Sequence, residues 1–134
     1  MNAVRSHGIT LIQPPLRVSR DFIDYPYHSD LAVVQAATLL RARGLDASVV
    51  NSFALGESGL VALEDDWVLM GAPVEAVTEH LAPSGLFVVH YTPFHRPPVR
   101  EPVLTALLDA IRERHPHTPI ILADLYQSGE HYVE

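Results

Sequence analysis

Histidine, tyrosine and aspartate are the side chains through which this chain could do chemistry, and they gather at a few places. Tyr25, Tyr27 and His28 stand together around Pro26, just after Asp24. His90, Tyr91, Thr92 and His95 mark the end of one apolar run, and Asp124 and Tyr126 follow another. Two kinds of chemistry suit these residue types. A metal ion could be held if His90 and His95 were joined by His28 or Asp124, because zinc needs three or four convergent ligands. The rings could instead wall a cleft for a large planar ligand, since pockets are mainly apolar with a few polar anchors. Rings that merely cover the end of a sheet would look the same in sequence. The other histidines of the eight are dispersed. His115 and His117, on either side of Pro116, read as a solvated turn where a helix dipole favours cations.

These residues need elements to position them, and the apolar pattern supplies a regular series. Residues 9–12 form a short β-branched run between Gly8 and Pro14-Pro15, which reads as a buried parallel strand. Residues 16–28 read as a loop. Ser29 or Asp30 can cap the next helix, whose apolar face is Val33, Ala36, Ala37 and Leu40. Arg41 and Arg43 suit its C-terminal end, and Gly44 its stop. A second strand follows at 46–50. Residues 51–63 are weakly patterned. Pro73 suits the first turn of a helix with Val74, Val77 and Leu81 on its apolar face. Residues 86–91 are apolar at nearly every position, as a central strand requires. Pro102 opens a helix with the stripe Val103, Leu104, Leu107, Leu108 and Ile111, which must stop before Pro116. Residues 119–123 are the fourth strand.

The order β-α-β-α-β-α-β predicts an open, doubly wound parallel α/β sheet, flavodoxin-like or Rossmann-like. Ligands of such sheets bind beyond the carboxyl ends of the strands, where the ring-bearing loops fall. The 134 residues form one domain. A fifth strand and a last helix do not follow, so the sequence reads as truncated after the fourth strand: a minimal version of the fold or, as expected here, the N-terminal part of a longer chain.

Composition excludes several classes. Hydrophobic residues are 48% and charged residues 19%, as in a packed domain. The formal charge is −7 and every basic residue is arginine, with no basic cluster for nucleic acid. The absence of cysteine removes disulfides, thiolate nucleophiles and cysteine-held clusters from this chain. No signal peptide heads the sequence and no apolar run approaches the roughly 20 residues of a membrane span, so a cytoplasmic protein is expected. Prolines stand where a dinucleotide fold has Gly-x-Gly-x-x-Gly. A Walker loop needs lysine, and no Gly-x-Ser-x-Gly elbow is present. The third strand ends in Val89-His90-Tyr91, without the aspartate of a receiver domain.

Leu11-Ile12-Gln13-Pro14-Pro15, then Tyr25-Pro26-Tyr27, then Asp30-Leu31-Ala32 with Ala36-Ala37-x-Leu39-Leu40-Arg41-x-x-Gly44, resembles the start of cobalamin (B12)-binding domains that precede radical S-adenosylmethionine domains. The likeness extends to residues 86–92 and 119–123, about four fifths of the chain; only its opening motif is specific. It implies a cofactor over the carboxyl ends of the strands, its nucleotide tail beside the sheet. The cobalamin contacts carried over are Tyr25, Tyr27 and His28, then Tyr91, Thr92 and Pro93, then Asp124, Leu125 and Tyr126. Asp24 and His28 lack the Asp-x-His-x-x-Gly spacing of cobalt-ligating members, so no metal ligand is assigned. Ala123-Asp124 replaces the Gly-Gly common after the fourth strand.

The resemblance implies a domain that positions a corrinoid for methyl transfer or a related radical reaction. S-adenosylmethionine and a [4Fe-4S] cluster would belong to a catalytic domain outside these residues, in the same or another chain. The alternative is a domain that keeps the fold, has lost cobalamin and serves substrate binding or docking. A small metal enzyme using His28, His90 or His95 is the third reading.

Overall fold

The computed structural model describes residues 8–22, 31–91 and 101–125. Four parallel strands form the main sheet: β1 (Ile9–Gln13), β3 (Ala47–Asn51), β6 (Leu86–His90) and β7 (Ile120–Ala123), in the order β3-β1-β6-β7. β1 pairs with β3 from Ile9↔Ala47 to Gln13↔Asn51, and with β6 from Ile9↔Leu86 to Ile12↔Val89. β6 pairs in turn with β7, from Phe87↔Ile120 to His90↔Ala123. This is the open α/β sheet expected, with β1 and β6 as its inner strands.

Side chains on a strand alternate between faces, and here the two faces carry different helices. Leu11, Val49 and Val88 pack with Val33 and Ala37 of α1 (Ala32–Ala42). Ile12, Val50 and Val89 point the other way, to Val77 of α2 (Val74–Glu79) and Leu104, Leu107 and Ile111 of α3 (Pro102–Arg114). Phe87, fully buried, belongs to this second layer. With helices on both faces, the inner strands can be almost wholly apolar. Thr10 is the exception near the amino edge, and its hydroxyl is paired with Ser84 Oγ at 2.6 Å.

Local chemistry sets the helix ends. α1 stops at Gly44, whose φ of +84° suits a residue without a Cβ. Arg41 does more than meet the dipole: its Nε donates to Ala47 O at 2.6 Å and ties the helix end to the start of β3. The residue before α1 is Leu31, which makes no side-chain cap; the expected caps Ser29 and Asp30 lie outside the described residues. α3 is capped by Glu101, whose Oε2 accepts from Leu104 N at 2.5 Å, with Pro102 in its first turn. His115 departs from expectation. Its ring, half-buried, meets Phe87 edge-on, centroids 5.0 Å apart, while His117 is exposed in the turn that follows.

The larger correction is a second sheet. β2 (Leu16–Ser19) lies where a loop was expected, and β4 (Gly59–Ala62) and β5 (Trp67–Gly71) lie between β3 and α2. They pair antiparallel in the order β2-β5-β4. Leu16, Val18 and Val68 form their small core, and the Arg17 guanidinium stacks 3.8 Å over the Trp67 ring. β4 was hidden because all four of its residues are exposed and show no alternation. β2 was hidden because it follows β1 across only Pro14-Pro15.

The two sheets meet at Gly71. Its φ is +112°, and a Cβ there would lie 3.1 Å from Ser52 Oγ and 3.2 Å from Pro15 Cβ. Next to it, Ala72 N donates to Ser52 O at 2.9 Å. Gly71→Ala is therefore expected to cost about 1–3 kcal/mol, the scale of a strained backbone. Gly56→Ala, where the added atom meets nothing within 4 Å, should cost less than about 0.5 kcal/mol. Urea midpoints at unchanged slope would separate the two, and equal midpoints would refute the assignment.

Candidate functional site

The chain runs from β1 through α1 to β3 on one side of β1, then through α2 to β6 on the other. The connections thus change direction between β1 and β6, and at such a point an open sheet leaves a crevice beyond its strand ends. Register determines what lines it. Gln13 faces Asn51 directly, His90 faces Ala123, and one step beyond Ile12↔Val89 brings Gln13 beside His90. Alternation puts Asn51, Gln13, His90 and Ala123 on the face that carries α1. A polar row therefore crosses the carboxyl edge of an otherwise apolar sheet.

The outer polar members of the row have structural work. Asn51 Oδ1 accepts from Phe53 N at 3.0 Å and turns the chain out of β3. His90, fully buried, receives the N–H of Leu125 on Nδ1 at 3.2 Å. The same Nδ1 stands 3.4 Å from Ala123 O, so the ring is held between the two ends of the turn after β7. Gln13 is different. It is fully buried, and neither its Oε1 nor its Nε2 has a hydrogen-bond partner.

Other buried polar atoms also lack partners. Among the described residues, the buried side-chain nitrogens and oxygens without a partner belong to Gln13, Arg17, Ser52 and Glu101. Arg17 Nε has the Trp67 ring as compensation. Ser52 follows β3 directly, its amide bonded to Gln13 O at 3.0 Å while its hydroxyl has no partner. Glu101 opens α3 and spends one carboxylate oxygen on the cap, leaving Oε1 bare. Buried polar atoms are nearly always paired, so the unpaired amide of Gln13 at the switch point is a candidate ligand contact.

Of the residues named from sequence, three are described. Tyr91 is half-buried and packs with the α2–α3 layer, its amide bonded to Ala123 O at 3.1 Å. Leu125 is half-buried on the opposite face, against the α1 layer. Asp124 stands between β7 and Leu125, also half-buried. The structure therefore puts Tyr91 and Leu125 on opposite sides of the sheet. Tyr25, Tyr27, His28, Thr92, Pro93 and Tyr126 lie outside the described residues. So do His28 and His95 of the metal reading; among the described residues no three His, Cys, Asp or Glu stand close enough to hold a metal ion. Sequence reasoning missed Gln13, Ser52 and Glu101. Gln13 had a signal, as an amide ending an apolar strand just before two prolines.

No protein-family model matches the chain, and no curated protein or solved structure matches it. No helix among the described residues is long and apolar enough to cross a membrane.

An unpaired buried amide costs about 1–3 kcal/mol, and an apolar side chain of similar shape avoids that cost. Gln13→Met should accordingly raise the stability of the ligand-free protein by about that amount. Thermal or urea denaturation would check it. A variant less stable than the parent would mean that Gln13 has a structural partner after all.

Proposed function

We propose that this chain is a cobalamin-binding-type domain that holds a corrinoid at the carboxyl edge of its sheet for a radical S-adenosylmethionine catalytic domain, in the same or another chain. The observation that carries the proposal is Gln13: a buried, unpaired amide at the switch point of a four-stranded parallel sheet. A natural sequence does not keep an avoidable cost of that kind without a use for it, and misplaced polar groups concentrate at functional sites. The sheet order and the Leu11-to-Gly44 motif support the cofactor class.

The residues present fit such a group in a limited way. Gln13 offers a donor and an acceptor for an amide-bearing cofactor, and Ala123 keeps its end of the row small. No side chain of this chain is assigned to the cobalt. Cobalamin, when bound, supplies a metal centre for methyl or radical transfer; the protein's part is to hold and orient it. The carboxyl edge would hold the group, with Gln13 as its hydrogen-bonding side chain.

A second reading has its own observation. The turn after β7 is drawn onto the sheet by the bond from Leu125 N to His90 Nδ1, and Leu125 fills the α1 face beside Ala123-Asp124. That arrangement favours a domain that has exchanged cobalamin for substrate binding or docking.

Hydroxocobalamin tests both. Under the first reading it should co-elute with the chain in gel filtration and change its spectrum saturably. Gln13→Met should weaken binding at least about tenfold, the equivalent of one hydrogen-bonded pair. Under the second, the parent chain should not bind, and Ala123→Gly with Asp124→Gly should restore retention. Failure of both proteins to retain the cofactor would overturn the corrinoid assignment.

A further inference from the structure

We infer that Gln13 reads a planar ligand edge on which a hydrogen-bond donor stands beside an acceptor, the edge shared by carboxamides and by the amino-purine ring. The inference rests on the reading of the carboxyl edge as a ligand site and names the chemistry that the site selects.

Gln13 stands between two polar side chains that already fix backbone: Asn51 holds Phe53 N and His90 holds Leu125 N. The middle of the row is where both halves of an amide remain bare. Oε1 needs a donor and Nε2 needs an acceptor, and the two stand side by side in one plane. An ammonium, which has no acceptor, would leave Nε2 unpaired. A carboxylate or phosphate alone would leave Oε1 unpaired, and the chain's charge of −7 opposes either anion. A group carrying N–H next to a lone pair satisfies both at once. Glutamine pairs with adenine in this two-bond manner, and a carboxamide presents the same geometry. Burial sharpens the choice, because an analogue that leaves one buried partner bare is rejected far more strongly than one that lacks a methylene.

Two sources share this edge: a carboxamide arm of a corrinoid, and the adenine of a nucleoside. The experiment uses the full chain labelled with ¹⁵N, the Gln13 side-chain amide signals being assigned by their loss in Gln13→Met. Four probes are titrated separately: acetamide as the bare edge, sodium acetate as its acceptor-only counterpart, adenosine, and hydroxocobalamin. The expected result is a saturable shift of the Gln13 signals with acetamide and with adenosine or hydroxocobalamin, and none with acetate. Gln13→Met and Gln13→Glu should each weaken binding of the responding larger probe at least tenfold. Should either variant fold poorly, the signal shifts of the parent chain decide alone.

A response to acetamide and adenosine without hydroxocobalamin would keep this inference and remove the corrinoid reading. Retention of hydroxocobalamin undiminished in Gln13→Met would overturn this inference and the place of Gln13 in the corrinoid site, while leaving cobalamin as a ligand of the chain. Silence of the Gln13 signals to every probe, or an equal response to acetate, would overturn it as well.

Discussion

The parallel pairing of β1 with β6 is the constraint on which the rest depends. Both strands are flanked by other strands, so neither can turn a face to water without exposing Leu11, Val88, Ile12 or Val89. Covering both faces requires helices on both, and a parallel sheet obtains them from its crossovers. α1 covers the first face between β1 and β3, and α2 and α3 cover the second. Arg41 bonded to Ala47 O, Gly44 at positive φ and Glu101 at the start of α3 are the local devices that let those crossovers end where the strands need them.

The same pairing creates the site. Parallel strands in register set equivalent residues side by side on one face, so a polar residue at the end of each inner strand becomes a polar row. Asn51 and His90 are tied to the backbone of the exiting chain, and this rigidifies the frame around Gln13. Ser52, just after β3, and Glu101, at the start of α3, also keep an unpaired oxygen. A buried amide left unpaired at the end of an inner strand is poor for stability, and such a choice is intelligible where a ligand completes the pairing.

The second sheet explains how the edge is enclosed on one side. β2 leaves β1 through Pro14-Pro15, and β5 returns past Gly71 against Pro15 and Ser52. Both junction contacts are close enough that a side chain at Gly71 would push on Ser52, the residue bonded to Gln13 O. The small sheet is thus coupled mechanically to the end of β1. Its outer strand β4 is exposed throughout, and this is why hydrophobic patterning was blind to it.

By itself the sequence determined the four parallel strands, the three helices and their order, because each is a local apolar run or stripe bounded by Gly or Pro. It also put His90 and Tyr91 at the end of a central strand. Tertiary structure alone decided three things. It decided that Leu16, Val18 and Val68 pair as a separate antiparallel sheet, since strand pairing joins segments about fifty residues apart. It decided that the His115 ring meets Phe87 edge-on, since only the packed helix brings the ring to the core. And it decided that Gln13, Ser52 and Glu101 have unpaired buried atoms, because a hydrogen bond is a property of neighbours in space, and neighbours of that kind have no signature along the chain.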